Sequence, residues 1–350
     1  MNTLEHLISD IPCPDTEARS QARERWDSLV KPRGSLGRLE DLAVQIAGIT
    51  GELDPSLERK TIALFAGDHG VVEQGVSKYP KSVTASMIRT FVANGAGINI
   101  LAEQAQTEVR VINMGVDTED VPAEILDRSI RKGTDNFMIG PAMTRQEAFR
   151  SLETGYKFAE ILYAQGINLL GVGDMGIGNT TASSAITACL TESSVGQVTD
   201  KGTGLSAEQI SHKSQVIEQA LRVNRPDPQD PLDVLSKVGG FEIGAIAGCL
   251  IGGAAHRIPL LLDGFITSAG ALTAAALVPE IRPFLIAAHI SGEKGHRVAL
   301  NHLGLTPLLD LEMRLGEGSG AALAMPVVET SVRLLNDMAT FKEAGISGGE

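Results

Sequence analysis

The chain contains six apolar runs that each end in a short cluster of Gly, Asp, Ser or Glu. These clusters lie at residues 67–70, 115–117, 171–181, 263–264, 289–295 and 315–320. Alternation of a buried strand with a glycine-rich loop is typical of an open parallel sheet, whose loops form a ligand pocket at the carboxyl ends of the strands. We therefore predict an α/β fold with a doubly wound, mostly parallel, Rossmann-like sheet, and we expect the functional residues at one edge of it.

Hydrophobic periodicity predicts where the strands and helices of this fold lie. Buried strands are expected at residues 61–66, 108–114, 168–172, 258–262 and 284–289. Helices are expected at residues 17–29 (capped by Thr16), 38–50, 84–101, 146–164, 180–190, 207–223, 243–255 and 268–277, and over most of the chain from residue 303 onward. The order of the strands in the sheet does not follow from periodicity.

The overall charge limits the ligands that the protein can bind. The formal net charge is −13, whereas binding to the backbone of a nucleic acid needs a basic surface. This argues against a nucleic-acid partner. A small anion is not excluded, because the N–H groups of a loop and a single lysine can hold a phosphate.

The cysteines and the amino-terminal residues favour a cytoplasmic protein. Residues 1–10 contain two acids and no basic region of the kind that opens a signal peptide. The cysteines form no Cys-x-x-Cys pair, so they are expected to be buried thiols in a reducing compartment. They are Cys13, Cys189 and Cys249.

Two long apolar stretches need to be distinguished from membrane spans. Residues 243–255 and 264–278 are both shorter than the stretch of about 20 residues that crosses a bilayer, so no membrane association is expected. Gly244, Gly248 and Gly252 repeat a Gly-x-x-x-Gly spacing. That spacing predicts a helix packed closely on the sheet or on a partner subunit.

The glycine-rich segment at 171–181 has three interpretations. Gly171-x-Gly173-x-x-Gly176 matches the dinucleotide-binding fingerprint, which also requires an acid at the end of the next strand, about 20 residues on. Glu192 lies near that distance, but in a segment without a strand pattern. We therefore favour a phosphate- or nucleotide-binding loop at a helix amino terminus over an NAD site. Purely structural glycine turns are the remaining alternative.

Three charged residues are candidates for chemistry. Glu317 lies between Gly316 and Gly318 just before an apolar run, where it is either a general base in a partly apolar pocket or a carboxylate that stabilises a helix amino terminus. Asp174 lies within the richest glycine loop and has the same two interpretations. Lys213 is expected on a helix, where it either contacts a phosphate or is a solvated surface residue.

Metal and hydrolase chemistry have weaker support. His69, His289 and His296 lie in or near the predicted loops, but their spacing matches no zinc or di-iron pattern. A serine hydrolase would need Gly-x-Ser-x-Gly after a strand, and no such elbow occurs. We therefore expect no metal site.

Several longer motifs occur in one order along nearly the whole chain. Taken together, they resemble the nicotinate-nucleotide–dimethylbenzimidazole phosphoribosyltransferases, the family that makes the lower-ligand nucleoside phosphate of cobalamin. The motifs are KPRGSLGRLE at 31–40, AGDHGV at 66–71, GIGNTT at 176–181, LDGF at 262–265, HISGE at 289–293 and RLGEG at 314–318.

The resemblance implies an architecture, an assembly and a reaction without a cofactor. It implies a large α/β domain at residues 60–300 and a small helical domain made of residues 1–59 with 301–350. It also implies a homodimer that uses no metal or redox cofactor. The expected substrates are nicotinate mononucleotide and a benzimidazole base, and the expected products are nicotinate and α-ribazole 5′-phosphate.

The resemblance also implies roles for individual residues. The family's general base corresponds to Glu317, and Asp174 is a second candidate catalytic residue. Many members have Glu at the position of Asp174, so this carboxylate keeps the charge with one methylene less reach. An apolar slot of Tyr79, Val83, Met87 and Phe265 is expected to hold the aromatic base, and Gly264 is a further expected substrate-binding residue. The expected phosphate and ribose contacts are Gly176, Gly178, Asn179, Gly202, Lys213, Ser291, Arg314 and Gly316.

Two other functions use the same loops. A non-catalytic nucleotide sensor would bind the mononucleotide without forming a product. An NAD-linked oxidoreductase would transfer a hydride, which the missing acid after the glycine loop disfavours.

Overall fold

A parallel sheet forms the centre of the molecule. The computed structural model describes residues 4–8, 11–202 and 204–346, and within them one sheet has six strands in the order β3-β2-β1-β4-β5-β6. Every pairing in this sheet is parallel. The strands are β1 Lys60–Gly67, β2 Glu108–Gly115, β3 Leu126–Asp127, β4 Leu169–Met175, β5 Leu260–Leu262 and β6 Leu285–Ala287; a separate parallel pair joins β7 His289–Ile290 to β8 Leu309–Asp310.

The strand order confirms the predicted fold class. It is the order of a doubly wound nucleotide-binding sheet, in which the direction of winding reverses between β1 and β4. Loops on either side of that reversal point separate from one another and leave a crevice at the carboxyl edge of the sheet. The loops after β1 and β4 begin at Gly67 and Met175, so the glycine-rich segment lies at this crevice.

Helices cover both faces of the sheet. Along β1, Ala63 and Phe65 belong to the apolar cluster on one face of the sheet, whereas Ile62 and Leu64 belong to the cluster on the other face. The helices are α1 Leu4–Ile8, α2 Thr16–Ser28, α3 Arg38–Thr50, α4 Ser82–Val92, α5 Gly97–Gln104, α6 Arg145–Ala164, α7 Asn179–Thr191, α8 Val195–Val198, α9 Ala207–Asn224, α10 Pro231–Val238, α11 Phe241–Ala255, α12 Phe265–Leu277, α13 Lys294–Leu303 and α14 Ser319–Asp337.

The Gly-x-x-x-Gly helix packs within its own chain. A Cβ atom on Gly248 would lie 1.8 Å from the carbonyl oxygen of Leu152, and one on Gly155 would lie 1.8 Å from that of Ala245. The glycines of α11 and α6 therefore let the two helix backbones touch. No helix in the described part of the chain is long and apolar enough to cross a membrane.

Four predicted boundaries are wrong. The helix expected at 84–101 is two helices, because Asn94 has a left-handed φ of 56° between α4 and α5. The strand expected at 284–289 is split into β6 and β7. Asp15, not Thr16, caps α2 by accepting from the N–H of Ala18. Residues 304–318 are a loop with the short β8 rather than helix, so the cluster at 315–320 does not follow a strand of the main sheet.

The two ends of the chain meet in an apolar cluster of their own. Trp26 of α2, Ala47 of α3 and Leu335 of α14 belong to it. Arg25 also donates hydrogen bonds to the carbonyls of Leu335 and Asn336, at 2.7 Å each. The division into residues 60–300 and residues 1–59 with 301–350 stays a prediction, since α14 also packs on β4 and β5.

Candidate active site

A cavity of about 260 Å³ lies at the carboxyl edge of the sheet. Most residues that the sequence singled out line it, although they come from distant parts of the chain. Of the expected catalytic and substrate-binding residues, only Gly178 and Lys213 are absent from the cavity lining. The expected residues that line it are Tyr79, Val83, Met87, Asp174, Gly176, Asn179, Gly202, Gly264, Phe265, Ser291, Arg314, Gly316 and Glu317.

Glu317 lines this cavity and is buried. Its Oε2 accepts a hydrogen bond from the backbone N–H of Ile98, in the first turn of α5, at 3.3 Å. Its Oε1 has no hydrogen-bond donor within the described residues. Burial raises the pKa of Glu317, and the Ile98 bond opposes that rise only in part. A buried carboxylate with a free oxygen and a raised pKa can accept a proton from a bound ligand.

The backbone around Glu317 is strained. Gly316, Glu317 and Gly318 have consecutive φ values of 84°, 64° and 85°. A non-glycine residue in this region costs on the order of 1–3 kcal/mol and persists only where its surroundings enforce it. Here the N–H of Glu317 donates to the carbonyl of Asp174, and the N–H groups of Gly318 and Gly320 donate to Asp263.

Asp174, near the end of β4, lies next to Glu317, but the two side chains bond to different helices. Its Oδ2 accepts from the side-chain amide of Asn179 at 2.8 Å, while its Oδ1 is buried and has no partner among the described residues. Burial, followed by the charges of Asp263 and Glu242, raises the pKa of Asp174 well above its ordinary value. The shorter carboxylate therefore still orients Asn179, the first residue of α7.

Lys213 is buried behind the amino terminus of α7. It is 0% exposed, so the interpretation as a solvated surface residue is wrong. Its Nζ donates to the hydroxyl of Thr180 at 2.8 Å and lies near the acids Glu293 and Asp200. Burial lowers the pKa of Lys213 to about 8. A lysine held this way places positive charge behind the first turn of a helix, where an anion is favoured.

Two loops complete the anion-binding end of the cavity. The N–H of Gly202 donates to Glu293 at 2.9 Å, and its carbonyl accepts from Arg314 at 3.1 Å. Ser291 donates its N–H to Nδ1 of His296 at 2.8 Å and accepts at its hydroxyl from the N–H of Glu293. Burial lowers the pKa of His296 to about 3, which keeps Nδ1 free to accept.

The other end of the cavity is apolar. Tyr79 and Met87 come from the segment around α4, and Phe265 begins α12. Ile177, Ile266 and Leu315 add aliphatic walls that sequence reasoning did not identify. This end therefore suits a flat apolar ring, whereas the α7 end suits an anion.

Sequence reasoning also missed polar residues that structure the site. Thr180 and Glu293 were inside quoted motifs, yet nothing in their spacing indicated that they hold Lys213 and Gly202. His289 lines the cavity, and Met175 ends β4 beside it. Ile98 carried no signal at all, because it acts through its backbone N–H.

The remaining histidine and the dinucleotide acid lie elsewhere. His69 is 0% exposed and its Nε2 lies 2.5 Å from Oε1 of Glu242, outside the cavity lining. Glu192 is the left-handed residue that ends α7, so it is not at the end of a strand. Within the described residues, no group of three or more His, Cys, Asp or Glu side chains is arranged to hold a metal ion.

Comparisons with known proteins match this architecture along its whole length. The phosphoribosyltransferase family model matches residues 11–346. The nicotinate-nucleotide–dimethylbenzimidazole phosphoribosyltransferase of Geotalea uraniireducens strain Rf4 is 51% identical over 352 residues, which cover 100% of both chains. The protein of the same name from Geobacter sp. strain M21 is 50% identical and covers 99% of this chain and 100% of its own.

Solved structures agree with the sequence relatives. The crystal structure of CobT from Thermus thermophilus superimposes with a TM-score of 0.91 at 46% identity. It covers 95% of this chain and 99% of its own length.

Proposed function

The chain belongs to the phosphoribosyltransferase family of these relatives, and we propose that it transfers the 5-phosphoribosyl group of nicotinate mononucleotide to 5,6-dimethylbenzimidazole. The products are nicotinate and α-ribazole 5′-phosphate, the nucleotide-loop precursor in cobalamin synthesis. The observation that carries the residue roles is that Glu317 lines the cavity with one carboxylate oxygen, Oε1, that has no hydrogen-bond donor among the described residues.

Glu317 acts as the general base in this proposal. One ring nitrogen of the benzimidazole attacks C1′ of the ribose while the other must lose its proton. Oε1 of Glu317 accepts that proton. The leaving nicotinate departs from a pyridinium that is already positively charged, so no general acid is needed. Attack on the face opposite the leaving group inverts the anomeric centre and gives the α-riboside.

The α7 end of the cavity binds the 5′-phosphate and ribose. The N–H groups at the start of α7, backed by Lys213, supply the positive end of a helix and one ammonium charge. Gly176 and Asn179 line the cavity at this point, and Gly178 lies between them in the chain, where a Cβ atom would lie 2.6 Å from a side-chain carbon of Val72. The loops of Gly202, Ser291, Arg314 and Gly316 close around the ribose.

The apolar end binds the aromatic base. Tyr79, Met87, Gly264 and Phe265 all line the cavity, and this proposal assigns them to the base. Holding two substrates in line contributes more to the rate than one proton transfer does, since fixed alignment can supply about 7–11 kcal/mol. A general base contributes about 10²–10⁴-fold.

We also propose that the protein is a cytoplasmic homodimer. Its cysteines, Cys13, Cys189 and Cys249, are free thiols, which suits a reducing compartment. Analytical ultracentrifugation of the full chain tests the dimer.

The reaction is tested by incubating the purified protein with nicotinate mononucleotide and dimethylbenzimidazole. We expect nicotinate and α-ribazole 5′-phosphate to form in equal amounts, with the anomer identified by NMR. In Glu317→Gln, kcat should fall by about 10²–10⁴-fold while the mononucleotide still binds. Binding without any product from the wild-type protein would favour the nucleotide sensor instead.

A further inference from the structure

Asp263 connects the central sheet to the segment that carries Glu317. It follows β5 directly and is 0% exposed. Its Oδ2 accepts from the N–H of Gly318 at 3.0 Å, and its Oδ1 accepts from the N–H of Gly320 at 2.6 Å. Asp263 itself does not line the cavity, although its neighbour Gly264 does.

The backbone of the segment around Glu317 is fixed by contacts with other parts of the chain. Gly318, the residue before α14, offers no side-chain cap to the free N–H groups of this helix. Residues 316–318 are all left-handed, which the two glycines adopt freely but which strains the backbone of Glu317 unless outside contacts enforce it. Asp263 is the side chain that supplies those contacts, because both of its oxygens bond to N–H groups just after Glu317.

The fit around these bonds is tight. A Cβ atom on Gly320 would lie 2.8 Å from Oδ1 of Asp263 and 2.1 Å from Cδ2 of His289. The start of α14 therefore approaches the end of β5 as closely as a backbone can. A shift of Asp263 moves the backbone that positions Glu317.

We propose that Asp263 is a positioning residue for phosphoribosyl transfer, which holds the carboxylate of Glu317 in place through the backbone N–H groups of Gly318 and Gly320. This inference rests on the proposed function, in which Glu317 is the general base. Asp263 touches neither substrate, so it acts on the chemical step and not on binding.

Loss of Asp263 could also lower activity without any displacement of Glu317. Nε2 of His289 lies 3.7 Å from Oδ1 of Asp263, and His289 lines the cavity. Asp263 could therefore influence the site through His289 without Glu317. Loss of Asp263 could also lower activity by loosening the whole fold.

A double-mutant cycle distinguishes these routes. Asp263→Asn keeps the shape but turns one oxygen into an amide that faces an N–H donor, so one of the two bonds is lost. We expect kcat to fall about 10–100-fold, the size of effect that follows from displacing a catalytic group by about 1 Å. KM for nicotinate mononucleotide should stay within about 3-fold of the wild-type value. In the Glu317→Gln background, Asp263→Asn should change kcat by less than about 2-fold, because there is no base left to misplace.

Asp68, another buried aspartate that anchors a loop at this edge, provides a matched control. Asp68 follows β1, is 1% exposed, and accepts from the N–H of Asp117 at 2.8 Å, away from residues 316–320. Any effect of Asp68→Asn on kcat should persist undiminished in the Glu317→Gln background. If Asp263→Asn does not fold, Asp263→Ser replaces it in the double-mutant cycle, because the serine hydroxyl can still accept one hydrogen bond.

The outcomes of these experiments test the positioning role of Asp263 separately from the proposed role of Glu317 as the general base. An undiminished loss for Asp263→Asn in the Glu317→Gln background would overturn the positioning role, as would a KM effect without a kcat effect. A Glu317→Gln enzyme with normal kcat would instead overturn the proposed base, whatever Asp263 does.

Discussion

The backbone N–H of Glu317 donates a hydrogen bond to the backbone carbonyl of Asp174 over 3.2 Å. This bond ties the loop before α14 to the end of β4 and brings two acids that are far apart in sequence to one crevice. Their side chains then diverge, since Glu317 reaches Ile98 of α5 and Asp174 reaches Asn179 of α7. One oxygen of Glu317 is left without a donor among the described residues, and Asp174 orients the first residue of α7.

The pH dependence of turnover should report the ionisation of Glu317. Burial raises its pKa, and a general base works only when it is ionised, so kcat should fall on the acid side at a pH above the ordinary glutamate value of 4.5. Below that point, kcat should drop tenfold per pH unit. Steady-state kinetics with saturating substrates measures this fall of kcat at acid pH. In Glu317→Gln, kcat should be low and should not fall further at acid pH. If kcat of that variant fell at the same pH as in the wild-type protein, the titrating group would be a residue other than Glu317.

Lys213 should control the binding of the phosphate. A charge-assisted hydrogen bond contributes about 1.5–3 kcal/mol, so Lys213→Met should raise KM for nicotinate mononucleotide by about 10–150-fold. KM for dimethylbenzimidazole should stay unchanged. Lys201→Met is the matched control, because Lys201 is exposed on the same rim, and it should bind the mononucleotide normally.

The lowered pKa of Lys213 gives this binding a pH dependence. The ammonium of the free enzyme loses its proton near pH 8. KM for the mononucleotide should therefore rise with pH above about 8 in the wild-type enzyme, and this rise should be absent in Lys213→Met. A rise of equal size in both proteins would mean that Lys213 does not carry the phosphate charge.

Much of the fold could be predicted because its signals are local. Apolar runs that end in glycine loops located β1, β2 and β4 to within a few residues, and they gave the parallel, doubly wound class. The family resemblance is confirmed by full-length relatives at about 50% identity. The break between α4 and α5 was missed because Asn94 adopts a left-handed conformation that no periodicity encodes.

The sequence predicted those site residues that lie within recognisable motifs, and it did not predict the contacts that other segments make with them. Glu317 is visible because it stands between glycines, and the structure places it at the cavity. Lys213 looked like a surface residue when judged by its own helix, because its burial depends on Thr180 and Glu293 from other segments. Contacts that act through backbone N–H groups, such as that of Ile98, have no sequence signature.

Gly173 should be needed for the position of Glu317. A Cβ atom there would lie 2.6 Å from the N of Gly318 and 2.7 Å from the carbonyl carbon of Glu317. Gly173→Ala should therefore displace the base, lowering kcat at least tenfold and stability by about 1–3 kcal/mol. Gly196→Ala is the control, since a Cβ there meets nothing within 4 Å, and it should leave kcat unchanged. Equal behaviour of the two variants in kinetics and urea unfolding would contradict the contact.

Asp174 should lower stability at neutral pH while it supports activity. Burial and neighbouring acids raise its folded pKa well above 3.8, so between 3.8 and the folded pKa the folded state holds more protons than the unfolded chain. The stability that this group contributes is therefore present below pH 3.8 and is lost as pH rises through that window. Asp174→Asn removes the titration and can keep an oxygen that accepts from Asn179.

The Asp174→Asn variant should therefore be more stable than the wild-type protein at pH 8, by at least about 2 °C in Tm, and the difference should shrink toward pH 4. Its kcat should fall, because an amide no longer carries the negative charge that lies beside Glu317 in the crevice. Asp27→Asn, an exposed substitution on α2, should change neither quantity. Calorimetry at both pH values measures the effect. A variant that is less stable than the wild-type protein at pH 8 would show that the hydrogen bond between ionised Asp174 and Asn179 outweighs the cost of burying the charge.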